Sequence, residues 1–164
     1  MRLKGSHVYS VPVEAVIAML RDESATVDKY EGMGDRDVQI LEFVSDDDRL
    51  RIVSSRLVDV ELPGFAKKAL KPTNTMMQTD EWRREGDDSW SGTFNVDVQG
   101  SPVHISGTMG LAPDSGGSRH DVALDLQVKI PILGGKVADW VGKNDGQRTL
   151  DAEFAFNDRR LGAR

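Results

Sequence analysis

Three histidines, His7, His104 and His120, are the side chains best suited to base or metal chemistry near neutral pH. Their spacing does not favour it. No His-x-x-His or His-Glu-x-x-His pattern accompanies them, so no metal ligands are assigned. His104 alternates with Val103 and Ile105, which puts it on the polar, outer face of a strand. His7 lies in a first strand and His120 beside a turn, and all three read as surface histidines. Gly134-Gly135-Lys136 ahead of a helix has the ending of a phosphate-binding loop, but Ile130 stands where the upstream glycine belongs and Val137 replaces the hydroxyl residue. The glycines read instead as a tight bend from the last strand into the last helix. Asp46-Asp47-Asp48 lacks the alternate spacing and the glycine of a calcium loop and reads as a hairpin turn.

The carboxylate with the strongest claim to chemistry is Asp80. Strand alternation puts it on one face with Met76, Gln78 and Trp82, and Trp82 belongs inside. A carboxyl in an apolar pocket has its acid form favoured and can serve as a general acid or base. The plainer alternative is an inward residue near a strand end, reached by water or paired with Arg148. Arg148 offers either a planar fork for a ligand carboxylate or phosphate, or a partner for Asp145 or Asp151. Met19, Met76, Met77 and Met109 provide either a plastic ligand surface or gap-filling core.

Composition narrows the classes. With no cysteine, the chain has no disulfide, thiolate nucleophile, Cys-ligated zinc or iron–sulfur cluster. No cofactor is assigned. Lys and Arg total 21 against 27 Asp and Glu, and the net charge of −6 argues against a phosphate-tracking surface and hence against nucleic acid as partner. The longest apolar run, Ala15 to Leu20, is far below the roughly 20 residues of a membrane span, and the N-terminus has no apolar signal segment. A cytoplasmic protein is expected. The 164 residues suit one domain over 1–164, a length at which about 70% of the unfolded surface is buried.

A first strand over Leu3 to Ser10 runs into Val11-Pro12-Val13-Glu14, where proline and an acidic residue suit a helix start. Val13, Val16, Ile17 and Leu20 form one apolar stripe, a second helical stretch covers Ser24 to Tyr30, and Gly32-Met33-Gly34-Asp35 ends it. About six strands follow, punctuated by turn clusters at Ser45–Asp48, Gly86–Asp88, Gly100–Pro102 and Pro113–Gly117. Alternation is clear along Trp90–Val98, Val103–Leu111 and Val122–Val128, but Val38–Val44 and Leu50–Val60 carry apolar residues at both parities. After Pro131, Leu133, Val137, Trp140 and Val141 share a helical face that covers the dry side of the sheet. The same stripe then brings Asn144, Gln147, Arg148, Asp151 and Ala155 under the sheet, which a dry core would not tolerate. Two readings stay open: the helix breaks near Asn144-Asp145-Gly146, or these groups border a cavity.

This α+β order, with several local strings, resembles the START-like, polyketide-cyclase-like superfamily (SRPBCC, helix-grip fold). Within it the chain resembles a bacterial domain-of-unknown-function family through Leu62-Pro63-Gly64-Phe65, Gln78-Thr79-Asp80-Glu81-Trp82, Gly92-Thr93-Phe94 and Gly100-Ser101-Pro102-Val103. Gly107-Thr108, Leu111-Ala112-Pro113 and Ile130-Pro131-Ile132-Leu133-Gly134-Gly135-Lys136 agree in order. The resemblance implies a curved seven-stranded antiparallel sheet wrapped around a long C-terminal helix, with a hydrophobic cavity between them. It implies no reaction.

The leading expectation is therefore a carrier or sensor that encloses a small hydrophobic ligand, such as a lipid, polyketide-like or isoprenoid compound. Phe43, Met76, Trp82, Phe94, Met109 and Leu126 from the strands and Val137 and Trp140 from the helix would wall the cavity, with Asp80 or Arg148 orienting the ligand. The segment Pro63 to Lys71 reads as a short amphipathic helix, with Phe65, Ala66, Ala69 and Leu70 on one side and Lys67, Lys68 and Lys71 on the other. In the resembled fold it would sit at the cavity mouth and could touch an anionic membrane. Two alternatives remain: a cyclase- or hydrolase-type enzyme using Asp80 as acid or base, and an interaction protein whose cavity is filled by its own side chains.

Overall fold

The computed structural model describes residues 1–162. The chain runs β1 (Arg2–Tyr9), α1 (Val13–Leu20), α2 (Glu23–Gly32), β2 (Arg36–Ser45), β3 (Arg49–Asp59), β4 (Thr73–Arg84), β5 (Trp90–Val98), β6 (Val103–Asp114) and β7 (Gly117–Val128). It ends in α3 (Gly134–Val141), a π-helical turn (Gly142–Gly146) and α4 (Gln147–Arg160). The strands form one antiparallel sheet in the order β1-β7-β6-β5-β4-β3-β2. Its curved inner face holds the C-terminal helix, the expected helix-grip architecture. Among the described residues, no helix is long and apolar enough to cross a membrane.

Alternation builds the inner face. Along β5, Trp90, Gly92, Phe94, Val96 and Val98 are buried, while Ser91, Thr93, Asn95 and Asp97 face water. Register then extends the face: Phe94 lies opposite Asp80 and Gly107, and Trp90 opposite Leu111, which itself pairs with His120. The core joins these strands to Val13, Val16 and Ile17 of α1 and to Leu150 and Phe154 of α4. Burying a side chain such as Leu50, Leu111 or Leu126 contributes roughly 1.5–3 kcal/mol. A second, smaller cluster, Ala66, Leu70 and Val137, ties the β3–β4 connection to α3.

The strands with apolar residues at both parities resolve for two different reasons. In β2 the pairing register shifts between Ile40 and Glu42, so Ile40 and Phe43 both pack on the core while Leu41 and Val44 are exposed. In β3 the buried parity is Leu50, Ile52, Ser54 and Arg56. An arginine on the inner face is what obscured the pattern.

The C-terminal helix neither breaks nor turns its polar stripe inward. Backbone angles stay helical from α3 through the π turn into α4, and the wider turn shifts the phase of everything after it. Leu150, Phe154 and Asn157 become the buried positions, and Asn144, Arg148, Asp151 and Ala155 rotate to solvent. Glycine is needed at this turn because β1 comes close: a Cβ on Gly142 would collide with the Met1 thioether, and one on Gly146 would sit 2.6 Å from Leu3 Cδ1. The segment Pro63–Lys71 forms successive turns rather than a regular helix. Leu70 N donates to Ala66 O at 2.9 Å and Lys67 N to Pro63 O at 3.3 Å, and the run stops before Pro72.

Candidate functional site

The inner face carries a polar cluster assembled from α2, β3, β4, α4 and the α2–β2 connection. Arg56 on β3 is held on two sides: Nε donates to Asp35 Oδ2 at 2.9 Å and Nη2 donates to Gln78 Oε1 at 2.9 Å. Gln78 on β4 passes the chain on, its Nε2 donating to Asp80 Oδ1 at 2.8 Å. The Arg56 guanidinium lies 3.8 Å from the centre of the Tyr30 ring on α2, a cation–π contact. Beside it, Lys29 Nζ donates to Glu153 Oε1 of α4 at 2.9 Å. Alternation explains the strand members, since Arg56, Gln78 and Asp80 all fall on the inner parity.

Electrostatics follow from that packing. Desolvation raises the Asp80 carboxyl above the usual range, and the Lys29 ammonium opposes it only in part. Desolvation also works against both charges of the Lys29–Glu153 pair, but their mutual attraction wins: the ammonium is shifted up and the Glu153 carboxyl down. Burial raises the Tyr30 phenol.

A second polar line enters from the other edge. Asn157 Nδ2 donates to Tyr9 Oη at 3.0 Å, and Tyr9 Oη lies 3.1 Å from His120 Nδ1. His120 is 3% exposed and pushed down to about 4 by desolvation, so it is neutral at pH 7. Its ring lies 5.9 Å from that of Trp82 and 5.4 Å from that of Phe154. The surface reading of His120 is therefore corrected: its strand extends to Gly117, and the alternation Ser118, His120, Val122 turns it inward. His7 is also on the inner parity, stacked on Phe154 and 2.6 Å from Asp158 Oδ2. His104 is exposed. Among the described residues, no three His, Asp or Glu side chains cluster in a way that would hold a metal ion.

The structure brings Phe43, Met76, Asp80, Trp82, Phe94, Met109 and Leu126 together on the inner face. Val137 is buried at the far end with Ala66 and Leu70, and Trp140 is half-buried on α3. Arg148 is not with them. Its side chain is 76% exposed and donates to Asp145 Oδ1 at 3.0 Å, because the π turn carries it outward. The cations that face Asp80 are Lys29 and Arg56 instead. Met77 points to the outer face, where its sulfur accepts from Gln99 Nε2. Sequence reasoning missed Lys29, Tyr30, Arg56, His120 and Glu153; His120 had a usable signal in its parity with Val122, Leu124 and Leu126, and Glu153 in its place three residues after Leu150 on the buried stripe.

Two open depressions lie away from this cluster. One is bounded by Asp46–Arg49 and Arg83–Glu85 at the hairpin tips, and the other by Arg51, Glu81, Thr93, Asn95 and Thr108 on the outer face. In contrast, Met76, Gln78, Asp80, Ile105, Met109 and Leu124 project inward from interior strands yet are only half-buried. Side chains in that position keep solvent exposure where the helix does not seal the sheet.

The sheet order and the gripped helix are those of the START-like helix-grip fold. The fold is shared at low identity. A crystal structure of TTHA0849 from Thermus thermophilus has a TM-score of 0.67 at 15% identity, covering 98% of this chain and 97% of that one. A STAR-related lipid transfer protein from Xanthomonas axonopodis has a TM-score of 0.63 at 14% identity, covering 98% and 85%. The chain belongs to the family described as "Protein of unknown function (DUF2505)", whose sequence model matches residues 4–161. Among curated relatives, the uncharacterized protein Rv0481c of Mycobacterium tuberculosis is 27% identical over 113 residues, which span 66% of this chain and 65% of that protein.

Proposed function

We propose that this protein is a cytoplasmic carrier or sensor for a small hydrophobic molecule, such as a lipid, polyketide-like or isoprenoid compound. The molecule would lie between the inner face of the sheet and the C-terminal helix. The observation that carries the reading is the set of half-buried inner-face residues on interior strands, Met76, Ile105, Met109 and Leu124 among them. Apolar side chains in that position lose free energy to water unless a ligand covers them. Support from analogy comes from the STAR-related lipid transfer protein, whose fold is similar. Phe43, Met76, Trp82, Phe94, Met109 and Leu126 would supply contact area, and Asp80 would orient the polar end.

The same reading gives the β3–β4 connection a contact with an anionic membrane from which ligand is collected. Lys67, Lys68 and Lys71 are exposed there, and Lys136 Nζ lies 4.3 Å from the centre of the Phe65 ring. Ile132 in the neighbouring loop is fully exposed and has φ of 68°, a conformation that is strained for a β-branched residue. Strain spent on displaying an isoleucine to solvent fits a residue that enters a lipid surface.

Native mass spectrometry of protein purified from its own host, followed by solvent extraction, tests the main reading. A stoichiometric lipophile is expected. A mixture of related substrate and product would instead favour an enzyme using Asp80 as acid or base. An empty protein that also fails to take up an added alkane or fatty acid would refute binding and leave an interaction protein with a filled interior.

A further inference from the structure

Among the described residues, three buried polar atoms of the inner face have no hydrogen-bond partner: Tyr30 Oη, Arg56 Nη1 and His120 Nε2. The residues that carry them are 3%, 7% and 3% exposed. Burying such groups unpaired is unfavourable, so a set of three in one cluster calls for an occupant. Two other unpaired atoms, Arg21 Nε and Asp145 Oδ2, sit outside the inner face, on residues that bond to the Asp46–Asp47 turn and to the exposed Arg148.

Two of the three inner atoms, Arg56 Nη1 and Tyr30 Oη, offer hydrogens. Arg56 has no acceptor to give. His120 Nε2 stands apart from these two, behind the line in which Asn157 Nδ2 donates to Tyr9 Oη and Tyr9 Oη lies 3.1 Å from His120 Nδ1. Tyr30 Oη has its own proton uncommitted, and its ring lies under the Arg56 guanidinium, so these two donors form one station. The occupant must bring acceptor oxygens.

Charge decides which kind. Arg56 is already answered by Asp35 at 2.9 Å and Lys29 by Glu153 at 2.9 Å. Asp80 is a further carboxyl in the same cluster, hydrogen-bonded to an amide rather than ion-paired. No positive charge is left over for an anion, and a carboxylate brought here would be desolvated beside Asp80 and Glu153. We infer that the ligand is a neutral lipophile bearing a carbonyl oxygen, as a ketone, ester or quinone does, which accepts hydrogen bonds from Tyr30 and Arg56. The inference rests on the binding function proposed above and adds the chemical class of its ligand.

Three probes that share one hydrocarbon length separate the possibilities: myristic acid, the methyl ketone of the same length and the parent alkane. Each is titrated at pH 7 against the full chain and its Tyr30→Phe variant, with displacement of a fluorescent apolar dye as the readout. The ketone is expected to bind roughly tenfold more tightly than either the alkane or the acid, the worth of about one hydrogen bond. Tyr30→Phe removes only an unpaired hydroxyl and keeps the ring under Arg56, so the fold is retained. The variant should bring the ketone to within about twofold of the alkane and leave alkane affinity unchanged. An acid that binds as tightly as the ketone overturns the inference, as does a ketone preference that Tyr30→Phe leaves intact. Equal binding of all three probes also overturns it, since the donors then satisfy only water, but leaves the carrier function standing. Failure of every probe, the alkane included, overturns both. Should Tyr30→Phe fail to fold, the ranking of the three probes on the unsubstituted chain still decides.

Discussion

Lys29→Met should destabilise the protein more than Glu153→Gln, although both substitutions break the same 2.9 Å ion pair. Methionine leaves Glu153 with no available cation: His120 is neutral, and Arg56 is engaged by Asp35. Breaking a buried pair in this way costs roughly 3–5 kcal/mol. The lower end applies, about 3 kcal/mol, because the Glu153 side chain keeps 27% of its exposure and can draw some solvation. Glutamine at 153 leaves Lys29 near Asp80, whose carboxyl can ionise to replace the lost partner, and the amide oxygen still accepts a hydrogen bond. That change costs about 1 kcal/mol, a typical hydrogen-bond difference. Urea unfolding at pH 7 reads the gap directly: with a slope of about 2 kcal/mol per molar, the two midpoints differ by roughly 1 M. Because Glu153 helps to raise the Asp80 carboxyl, NMR titration of Glu153→Gln should also find Asp80 ionising at lower pH than in the unsubstituted chain. Equal midpoints, or a larger loss for Glu153→Gln, would refute the view that Asp80 is the reserve counter-ion of this cluster.

Two further predictions concern pH and lipid. The folded state depresses His120 to about 4 while the unfolded chain titrates near 6.5, so the unfolded state binds the extra proton between those values. Stability therefore falls as pH drops through that window, by about 3 kcal/mol in all, and His120→Gln should flatten the decline measured by denaturant midpoints. The slope is best read between about pH 5 and 6.5, since Asp35 and Asp80, both raised, pull in the opposite sense at the acidic end. If the slope persists in the variant, His120 is not its source. For lipid, co-sedimentation with phosphatidylglycerol vesicles should fall roughly tenfold in Ile132→Ser, the worth of one buried aliphatic side chain, and should weaken with added salt. Sedimentation indifferent to both changes would remove the membrane contact from the proposed function.

What the sequence disclosed depended on how local the cause was. The strands β5 and β6 and the Val122–Val128 part of β7 were legible because they alternate without interruption, and Asp80 and Trp82 were placed inward by the same rule. The order of elements and the short strings sufficed for the helix-grip fold. The first helix was equally plain, its stripe of Val13, Val16 and Ile17 being buried as the spacing requires. Where one residue changes the phase, the reading failed: a bulge in β2 places Ile40 and Phe43 on one side, and a π turn rotates Arg148 out and Glu153 in. Neither insertion leaves a compositional mark.

The polar cluster was illegible for a deeper reason. Asp80 on β4 was the one member read from the sequence; Lys29, Arg56, His120 and Glu153 come from α2, β3, β7 and α4, scattered along the chain with no motif that links them. Their function as a group requires the sheet to curve and α4 to cross it in the phase that the π turn sets. The same phase puts Leu150 and Phe154 against β1 and Asn157 against Tyr9, so packing and polar pairing specify one helix rotation between them. A simple apolar grip would not need that agreement. The Lys29–Glu153 ion pair and the Asn157–Tyr9 relay restrict which way the helix can sit, and Tyr30 and Arg56 are left with hydrogens still to place. A filled interior would gain stability by replacing those donors with apolar side chains. Keeping them in place is a cost that a bound acceptor can offset, and this is the physical ground for reading the cluster as part of a binding site.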